Sequence, residues 1–201
     1  MRFVLKALFT LSLLLWANSI AAAQPPLAIL MPGGSGAAKP TDFLVRNRAR
    51  FEHAGFQTVV ISTPGPAVQA AKAAHAKGQK VFLVGISLGV SRAAAALQAG
   101  APADAAVFFS GAYTNARSAM PSPGKLPPTL MVHHRMDQCP VTTPASAEAF
   151  KQWSGGRVSR IVWISSTGST MHWACGPKAA HGYFEKDNEP ISAAIGFLKA
   201  R

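Results

Sequence analysis

Apolar residues occur along the chain in short continuous runs, which alternate with longer segments whose apolar positions have a helical spacing. The runs at residues 27–31 and 81–84 contain no polar side chain. Runs of this kind are typical of strands that are buried on both faces of a parallel sheet. We predict further strands at residues 57–61, 105–110, 129–134 and 160–165.

Helices are predicted between these strands, because apolar stripes and helix-end signals fall in the intervening segments. Thr41 or Asp42 can cap the first helix, and Gly55 follows its expected end near Ala54. The other helices are expected at residues 67–77, 91–99, 144–153 and 190–199. This alternation predicts an α/β fold, with a mainly parallel sheet of about six strands and helices on both faces.

The N-terminal segment, residues 1–23, has the organisation of a secretory signal peptide. Arg2 and Lys6 form a basic start, residues 7–16 form an apolar centre, and residues 21–23 form a small-residue cleavage site. The apolar centre is shorter than the roughly 20 residues that a membrane-spanning helix requires. We therefore predict one mature domain over residues 24–201, which is periplasmic or secreted and has no stable membrane anchor.

The chain is strongly basic, with a net charge of +12. Removal of Arg2 and Lys6 with the signal peptide lowers this charge by two, to +10. A basic surface can attract nucleic acid or anionic lipid. However, the basic residues are scattered and no nucleic-acid-binding motif is present, so no nucleic-acid partner is predicted.

The pattern Gly-x-Ser-x-Gly follows the buried run at residues 81–84 and precedes a predicted helix. A strand, a sharp turn and a helix in this order are the context of a nucleophile elbow. Gly85 and Gly89 leave room for the turn, which raises the Ser87 hydroxyl above the carboxyl end of the sheet. Ser87 is therefore the candidate nucleophile, and the backbone N–H of Leu88 is a candidate oxyanion donor.

A glycine-rich loop, residues 33–36, follows the first predicted strand. It lacks the Gly-Lys-Ser/Thr ending of a P-loop and the glycine spacing of a dinucleotide site, so no cofactor is implied. It matches instead the kind of Gly-Gly loop whose backbone supplies a second oxyanion donor beside a serine nucleophile. Gly34 and Ser35 are both candidates for that donor.

A serine nucleophile needs a base, and the base needs an acid that orients it. Asp137 directly follows the fifth predicted strand and is the candidate acid. The base is expected after the sixth strand, where His181 is favoured and His172 is the alternative. A metal site built from Asp137, His172 and a histidine of the fifth strand is disfavoured, because the spacings match no zinc signature.

The chain resembles the small secreted bacterial α/β-hydrolases of undefined substrate. The resemblance rests on the chain order of the candidate serine, acid and histidine, and on three segments, residues 43–46, 133–139 and 181–183. It covers nearly all of the mature chain, implies that fold with serine-hydrolase chemistry, and supports His181 over His172.

Two features suggest a minimal version of that fold. The connection at residues 112–128 is too short for a helical cap. The sheet is expected to begin at the strand before the glycine-rich loop, without the two leading strands of the full fold, which leaves the sheet edge and the oligomeric state open.

The two cysteines, Cys139 and Cys175, lie near the candidate acid and base in the sequence. An even count in an exported protein predicts a disulfide bond. Cys139 lies two residues after Asp137, and Cys175 lies six residues before His181. A bond between the cysteines is therefore expected to hold the acid and the base near each other.

These residues together predict an exported serine hydrolase that cleaves an ester or a related acyl bond of a small molecule. His181 would accept the proton of Ser87, Asp137 would orient His181, and water would then release the acid from the acyl-enzyme. Esters, thioesters, lactones and amides all react through such an apparatus. The alternative is a non-catalytic binding protein of the cell envelope, since a fold does not fix a function.

Overall fold

The computed structural model of the protein describes residues 24–165 and 173–201, so the predicted signal peptide and His172 lie outside the described residues. Within these ranges, six strands form one parallel sheet in the order β2-β1-β3-β4-β5-β6. The strands are β1 (Leu27–Met31), β2 (Gln57–Val60), β3 (Val81–Ile86), β4 (Ala105–Phe109), β5 (Thr129–His134) and β6 (Val158–Ile164). The predicted α/β fold is confirmed.

Helices of the described residues lie on both faces of this sheet. They are α1 (Phe43–Arg46), α2 (Arg48–His53), α3 (Pro64–His75), α4 (Leu88–Gln98), α5 (Tyr113–Ala119), α6 (Pro144–Trp153) and α7 (Asn188–Lys199). Two 3₁₀ helices lie at Pro123–Lys125 and Ala180–Gly182. In the part of the chain that the structure describes, no helix has the length and apolar character needed to cross a bilayer.

The core consists of two apolar layers, one on each face of the sheet, because successive side chains of a strand point to opposite faces. Ile29 of β1 belongs to the layer under α3, α4, α5 and α6. Leu30 belongs to the layer under α1, α2 and α7. Strands β1, β3, β4 and β5 are buried along their whole length. This burial explains the continuous apolar runs, whereas the edge strands β2 and β6 carry exposed residues.

The first predicted helix is divided into α1 and α2 at Asn47, which is a difference from the sequence prediction. Asp42 caps α1, and its Oδ1 accepts a hydrogen bond from the N–H of Leu44 at 2.9 Å. The Asn47 side-chain amide donates to the Phe43 carbonyl at 2.9 Å, whereas the Asn47 backbone N–H bonds to the Val45 carbonyl. The side chain thus takes the acceptor that a continuous helix would use, which ends α1.

Helix α5 was not predicted from the sequence. It occupies part of the Pro-, Ser- and Gly-rich connection between β4 and β5, and it buries Tyr113 and Ala116. The Tyr113 ring lies 5.0 Å from the Phe150 ring, centroid to centroid. Helix α5 therefore packs beside α4 and α6 as a crossover helix, and within residues 112–128 no cap is formed.

The strand order places a crevice at one position of the sheet. From β1 the chain continues to β2 on one side, whereas from β3 it continues to β4 on the other side. A crevice opens outside the carboxyl ends of parallel strands where the direction changes in this way, and it is the usual place for a ligand. The glycine-rich loop after β1 and Ser87 after β3 meet at this crevice.

Candidate active site

Ser87 lies at the turn between β3 and α4, with φ 55° and ψ −123°. A positive φ is strained for a residue with a side chain and persists only where the surroundings hold it. The Ser87 N–H donates to the Phe109 carbonyl at 3.0 Å, and the Ser87 carbonyl accepts from the N–H groups of Ala112 at 3.0 Å and Val90 at 3.1 Å. These bonds fix the strand–turn–helix arrangement that the sequence predicts.

The two glycines that flank Ser87 permit close backbone packing at this turn. A Cβ atom on Gly89 would lie 2.0 Å from the carbonyl oxygen of Met31, and one on Gly85 would lie 2.9 Å from the Gly89 backbone. Any side chain at Gly89 would push the start of α4 away from β1. The pattern Gly-x-Ser-x-Gly therefore has a structural basis in this chain.

Asp137 and His181 form a buried hydrogen-bonded pair, as the sequence predicts. The Nδ1 atom of His181 lies 3.0 Å from Oδ2 of Asp137. The other carboxylate oxygen, Oδ1, accepts the backbone N–H of Cys139 at 3.0 Å. A carboxylate at Nδ1 favours the proton on that nitrogen and leaves Nε2 as the acceptor of a further proton. The pair therefore has the arrangement of an oriented general base.

Thr142, which was not predicted as a site residue, also belongs to this cluster. Its hydroxyl lies 2.9 Å from Oδ2 of Asp137 and 3.0 Å from Nδ1 of His181. The Thr142 hydroxyl can donate its proton to the carboxylate and accept the proton of the imidazole. No motif marks this threonine, since its role depends on the path of the loop between β5 and α6.

Ser87 and His181 line the same pocket, which has a volume of about 350 Å³. Gly34, Ser35 and Leu88, the three candidate oxyanion donors, line it as well. Among the described residues, no hydrogen bond joins the Ser87 hydroxyl to His181, and such bonds often form only when a substrate is bound. The pocket thus brings together the residues that the sequence analysis placed in one site, apart from the buried Asp137.

The Asp42 side chain, which lines the pocket, holds the glycine-rich loop in place. The N–H of Gly33 donates to Oδ2 of Asp42 at 3.0 Å. This N–H is therefore already bonded, whereas Gly34 and Ser35 stay the candidate donors to a substrate oxyanion.

The pocket wall is mainly apolar. It is lined by Phe43, Ile86, Val141, Trp173, Pro177 and both cysteines. Val141 is 45% exposed and Trp173 is 75% exposed, and both are among the large apolar side chains that the described residues leave exposed. Lys39 and Asp42 line the same pocket, so its wall combines an apolar surface, which suits an apolar ligand group, with two charged side chains.

The predicted disulfide bond between Cys139 and Cys175 is present, with a Cα–Cα distance of 4.6 Å. It joins the loop that carries Asp137 and Thr142 to the segment that precedes His181. In the described ranges, no group of three or more His, Cys, Asp or Glu side chains is arranged to hold a metal ion.

His133 lies behind the Asp137 carboxylate and is fully buried in β5. Its ring packs between Tyr113 and Trp163, with centroid distances of 5.8 Å and 5.7 Å. Its Nε2 is 3.6 Å from Oδ2 of Asp137, and among the described residues neither ring nitrogen has a hydrogen-bond partner. Burial lowers the pKa of His133 to about 4, although the neighbouring Asp137 charge opposes this shift. The ring is therefore neutral at pH 7.

We expect His133 to make the protein less stable in acid. The pKa of a histidine in the unfolded chain is about 6.5, whereas that of buried His133 is about 4. Between these values the unfolded state binds more protons, so the free energy of unfolding falls as the pH falls. The expected loss is about 3 kcal/mol by pH 4. Urea unfolding at pH 7 and pH 4 would measure it in the wild type and in His133→Leu.

The leucine variant should lose about 3 kcal/mol less than the wild type over this range. A His75→Gln variant provides the control, because His75 is exposed on α3. It should keep the wild-type pH dependence. Equal losses in His133→Leu and the wild type would contradict the assignment of this pH dependence to His133.

Comparisons with known proteins identify the fold. No family profile and no curated protein sequence matches the chain. Among solved structures, an α/β serine hydrolase homologue from Coxiella burnetii is similar at a TM-score of 0.62 and 16% identity, over 88% of this chain and 86% of that one. A lipase/esterase from Lactobacillus plantarum is similar at a TM-score of 0.59 and 14% identity, over 91% and 89%. Esterase 2 of Thermogutta terrifontis, phosphoramylated by tabun, is similar at a TM-score of 0.60 and 14% identity, over 92% and 86%. The chain therefore has the α/β-hydrolase fold.

Proposed function

We propose that the protein is a serine hydrolase that cleaves an ester or a related acyl bond of a small molecule. The observation that carries this proposal is the buried Asp137–His181 pair, whose histidine lines the same pocket as Ser87. The esterase and lipase/esterase activities named for structures with this fold support the same reaction class. The mainly apolar pocket wall favours a substrate with an apolar group.

The reaction would follow from the positions of these side chains. Nε2 of His181 accepts the proton of Ser87 as the serine oxygen attacks the carbonyl carbon, and the charge of Asp137 stabilises the imidazolium that forms. The Leu88 N–H and an N–H of Gly34 or Ser35 stabilise the oxyanion. The protonated histidine then gives its proton to the leaving group, and water releases the acid from the acyl-enzyme.

We also propose that this reaction takes place outside the cytoplasm. The predicted signal peptide, residues 1–23, is the main support for export. The Cys139–Cys175 disulfide is a second support, because such bonds persist in oxidising compartments.

A fluorophosphonate probe, which phosphonylates an activated serine, would test the proposed nucleophile. We expect the probe to label the folded mature protein at Ser87, and we expect Ser87→Ala to abolish the labelling. Mass spectrometry of the labelled peptide would identify the serine. Ser91→Ala is a matched control, because Ser91 lies on α4, the helix that follows Ser87, and its hydroxyl donates to the Leu88 carbonyl at 2.7 Å.

Ser91→Ala should label like the wild type. A folded wild-type protein that is not labelled and hydrolyses no ester would contradict the proposal. That result would favour the non-catalytic binding protein on the same scaffold.

A further inference from the structure

We propose that Arg46 and Asp187 are positioning residues that together fix the segment carrying His181 in its place opposite Ser87. The proposal rests on the function proposed above and assigns two side chains that touch none of the reacting groups. It follows from the hydrogen bonds of Arg46 and from the position of Asp187 at the start of α7. It also follows from the contacts of α1 with the glycine-rich loop and with the His181 segment.

The guanidinium group of Arg46 uses all five of its N–H donors. Nε and Nη2 bind the two carboxylate oxygens of Asp187 at 2.9 Å and 2.7 Å. Nη2 also donates to the Gly182 carbonyl at 2.6 Å. Nη1 donates to the carbonyls of Thr41 at 2.9 Å and Pro177 at 3.4 Å. A bidentate carboxylate contact with three carbonyl contacts defines one position for this side chain.

Three of these acceptors lie in the segment around His181. Gly182 follows the histidine directly, Pro177 precedes it by four residues, and Asp187 begins the helix after it. The backbone at Gly182 packs closely against Pro177, since a Cβ atom on Gly182 would lie 2.5 Å from the Pro177 oxygen. Arg46 therefore binds both sides of the turn that presents His181.

Asp187 occupies the N-cap position of α7, but its side chain caps no backbone N–H of that helix. An aspartate in this position normally accepts the N–H of the second or third helical residue, which stabilises the helix. Here both carboxylate oxygens bind Arg46 instead. The Asp187 carboxylate is therefore committed to the contact with Arg46 and not to its own helix.

Helix α1 connects this segment to the other half of the site. At the start of α1, Asp42 accepts the N–H of Gly33 in the glycine-rich loop. At the end of the same four-residue helix, Arg46 binds the His181 segment. In the same segment, the Tyr183 hydroxyl donates to the Val132 carbonyl in the core at 2.7 Å. Arg46 and Tyr183 thus hold the segment through separate contacts.

The ion pair is expected to matter more for geometry than for stability. The side chains of Arg46 and Asp187 are 21% and 27% exposed, so water reaches both charges. Water screens the attraction between partly exposed charges, so the free energy of unfolding is expected to fall only modestly without the pair, even though its geometry is bidentate. A shift of about 1 Å in a catalytic group, by contrast, can lower the rate about 100-fold. Loss of the pair should therefore reduce kcat more than it reduces the amount of folded protein.

The variants Arg46→Met, Arg46→Lys and Asp187→Asn test this role. We expect Arg46→Met to lower kcat on a p-nitrophenyl ester and the fluorophosphonate labelling rate by about 10- to 100-fold, with KM changed less than about threefold. Arg46→Lys should also lose activity, because an ammonium group cannot replace the planar, bidentate fork. The double variant Arg46→Met/Asp187→Asn should lose no more than Arg46→Met alone, since both changes remove one interaction.

Arg48→Met is the matched control, because Arg48 pairs with Glu52 on the surface and both side chains are more than two-fifths exposed. It should keep wild-type kcat. Circular dichroism and urea unfolding report the folded fraction of each variant. If Arg46→Met does not fold, Arg46→Lys and Asp187→Asn provide the same comparison.

Two results would overturn the proposal: kcat within twofold of wild type in the Arg46 and Asp187 variants, or losses that merely equal the unfolded fraction. A wild-type protein without labelling or ester hydrolysis would reject the proposed function itself, and this role with it. The two failures are therefore distinguishable.

Discussion

Replacement of His181 by alanine is expected to lower kcat by about three or more orders of magnitude. The reason is that the variant has no group to accept the proton of Ser87, while the pocket and the oxyanion donors stay in place. The loss should appear in kcat rather than in KM, because the imidazole acts on the proton transfer and not on substrate binding. Steady-state hydrolysis of a p-nitrophenyl ester by the folded variant would measure it.

His172→Ala is the comparison that assigns the base. His172 was the alternative in the sequence analysis, whereas the structure brings His181 to 3.0 Å from Asp137. We expect His172→Ala to lose far less activity than His181→Ala. The reverse ranking would move the base to His172 and reject the proposed role of His181.

Much of the fold follows from local sequence patterns. The strands β1, β3, β4 and β5 are buried on both faces, so their apolar runs stand out, and the predicted bounds of β1 and β5 agree with the structure. The glycine pattern around Ser87 is also readable, because it occupies five consecutive residues, although the Met31 oxygen that excludes a side chain at Gly89 belongs to a distant strand. Patterns of this kind are readable because the residues that carry them are consecutive in the sequence.

The motif order and the cysteine count predicted two contacts between distant residues, the Asp137–His181 pair and the disulfide bond. Features that no motif marks were not predicted. Helix α5 is held by the packing of Tyr113 on Phe150, and the break at Asn47 depends on a side chain that competes with the backbone. Thr142 reaches His181 across 39 positions of sequence, and Arg46 reaches Asp187 across 141. No periodicity or spacing records such contacts, so only the folded chain reveals them.

Loss of the disulfide is expected to cost about 3–4 kcal/mol of folding free energy, because the bond closes a loop with a sequence separation of 36 residues. We expect kcat to fall by a larger factor than the folded fraction of the protein. The Cys139 N–H donates to Oδ1 of Asp137, and Cys175 begins the segment that leads to His181. Without the bond, the acid and the base are expected to move apart while the sheet stays intact. The variant Cys139→Ser/Cys175→Ser tests both effects by urea unfolding and by kcat.

Reduction of the wild-type protein provides the matched control. Thiol titration of the unfolded, unreduced wild type should find no free thiol, and a reductant should lower its stability and kcat to the values of the double variant. The same reductant should leave the double variant unchanged, which separates loss of the bond from any effect of serine at these positions. Two titratable thiols in protein from an oxidising compartment would reject the bond. An unchanged kcat in the folded double variant would show that Asp137 and His181 stay in position without the bond. The bond would then stand, but its role in orienting the two residues would be rejected.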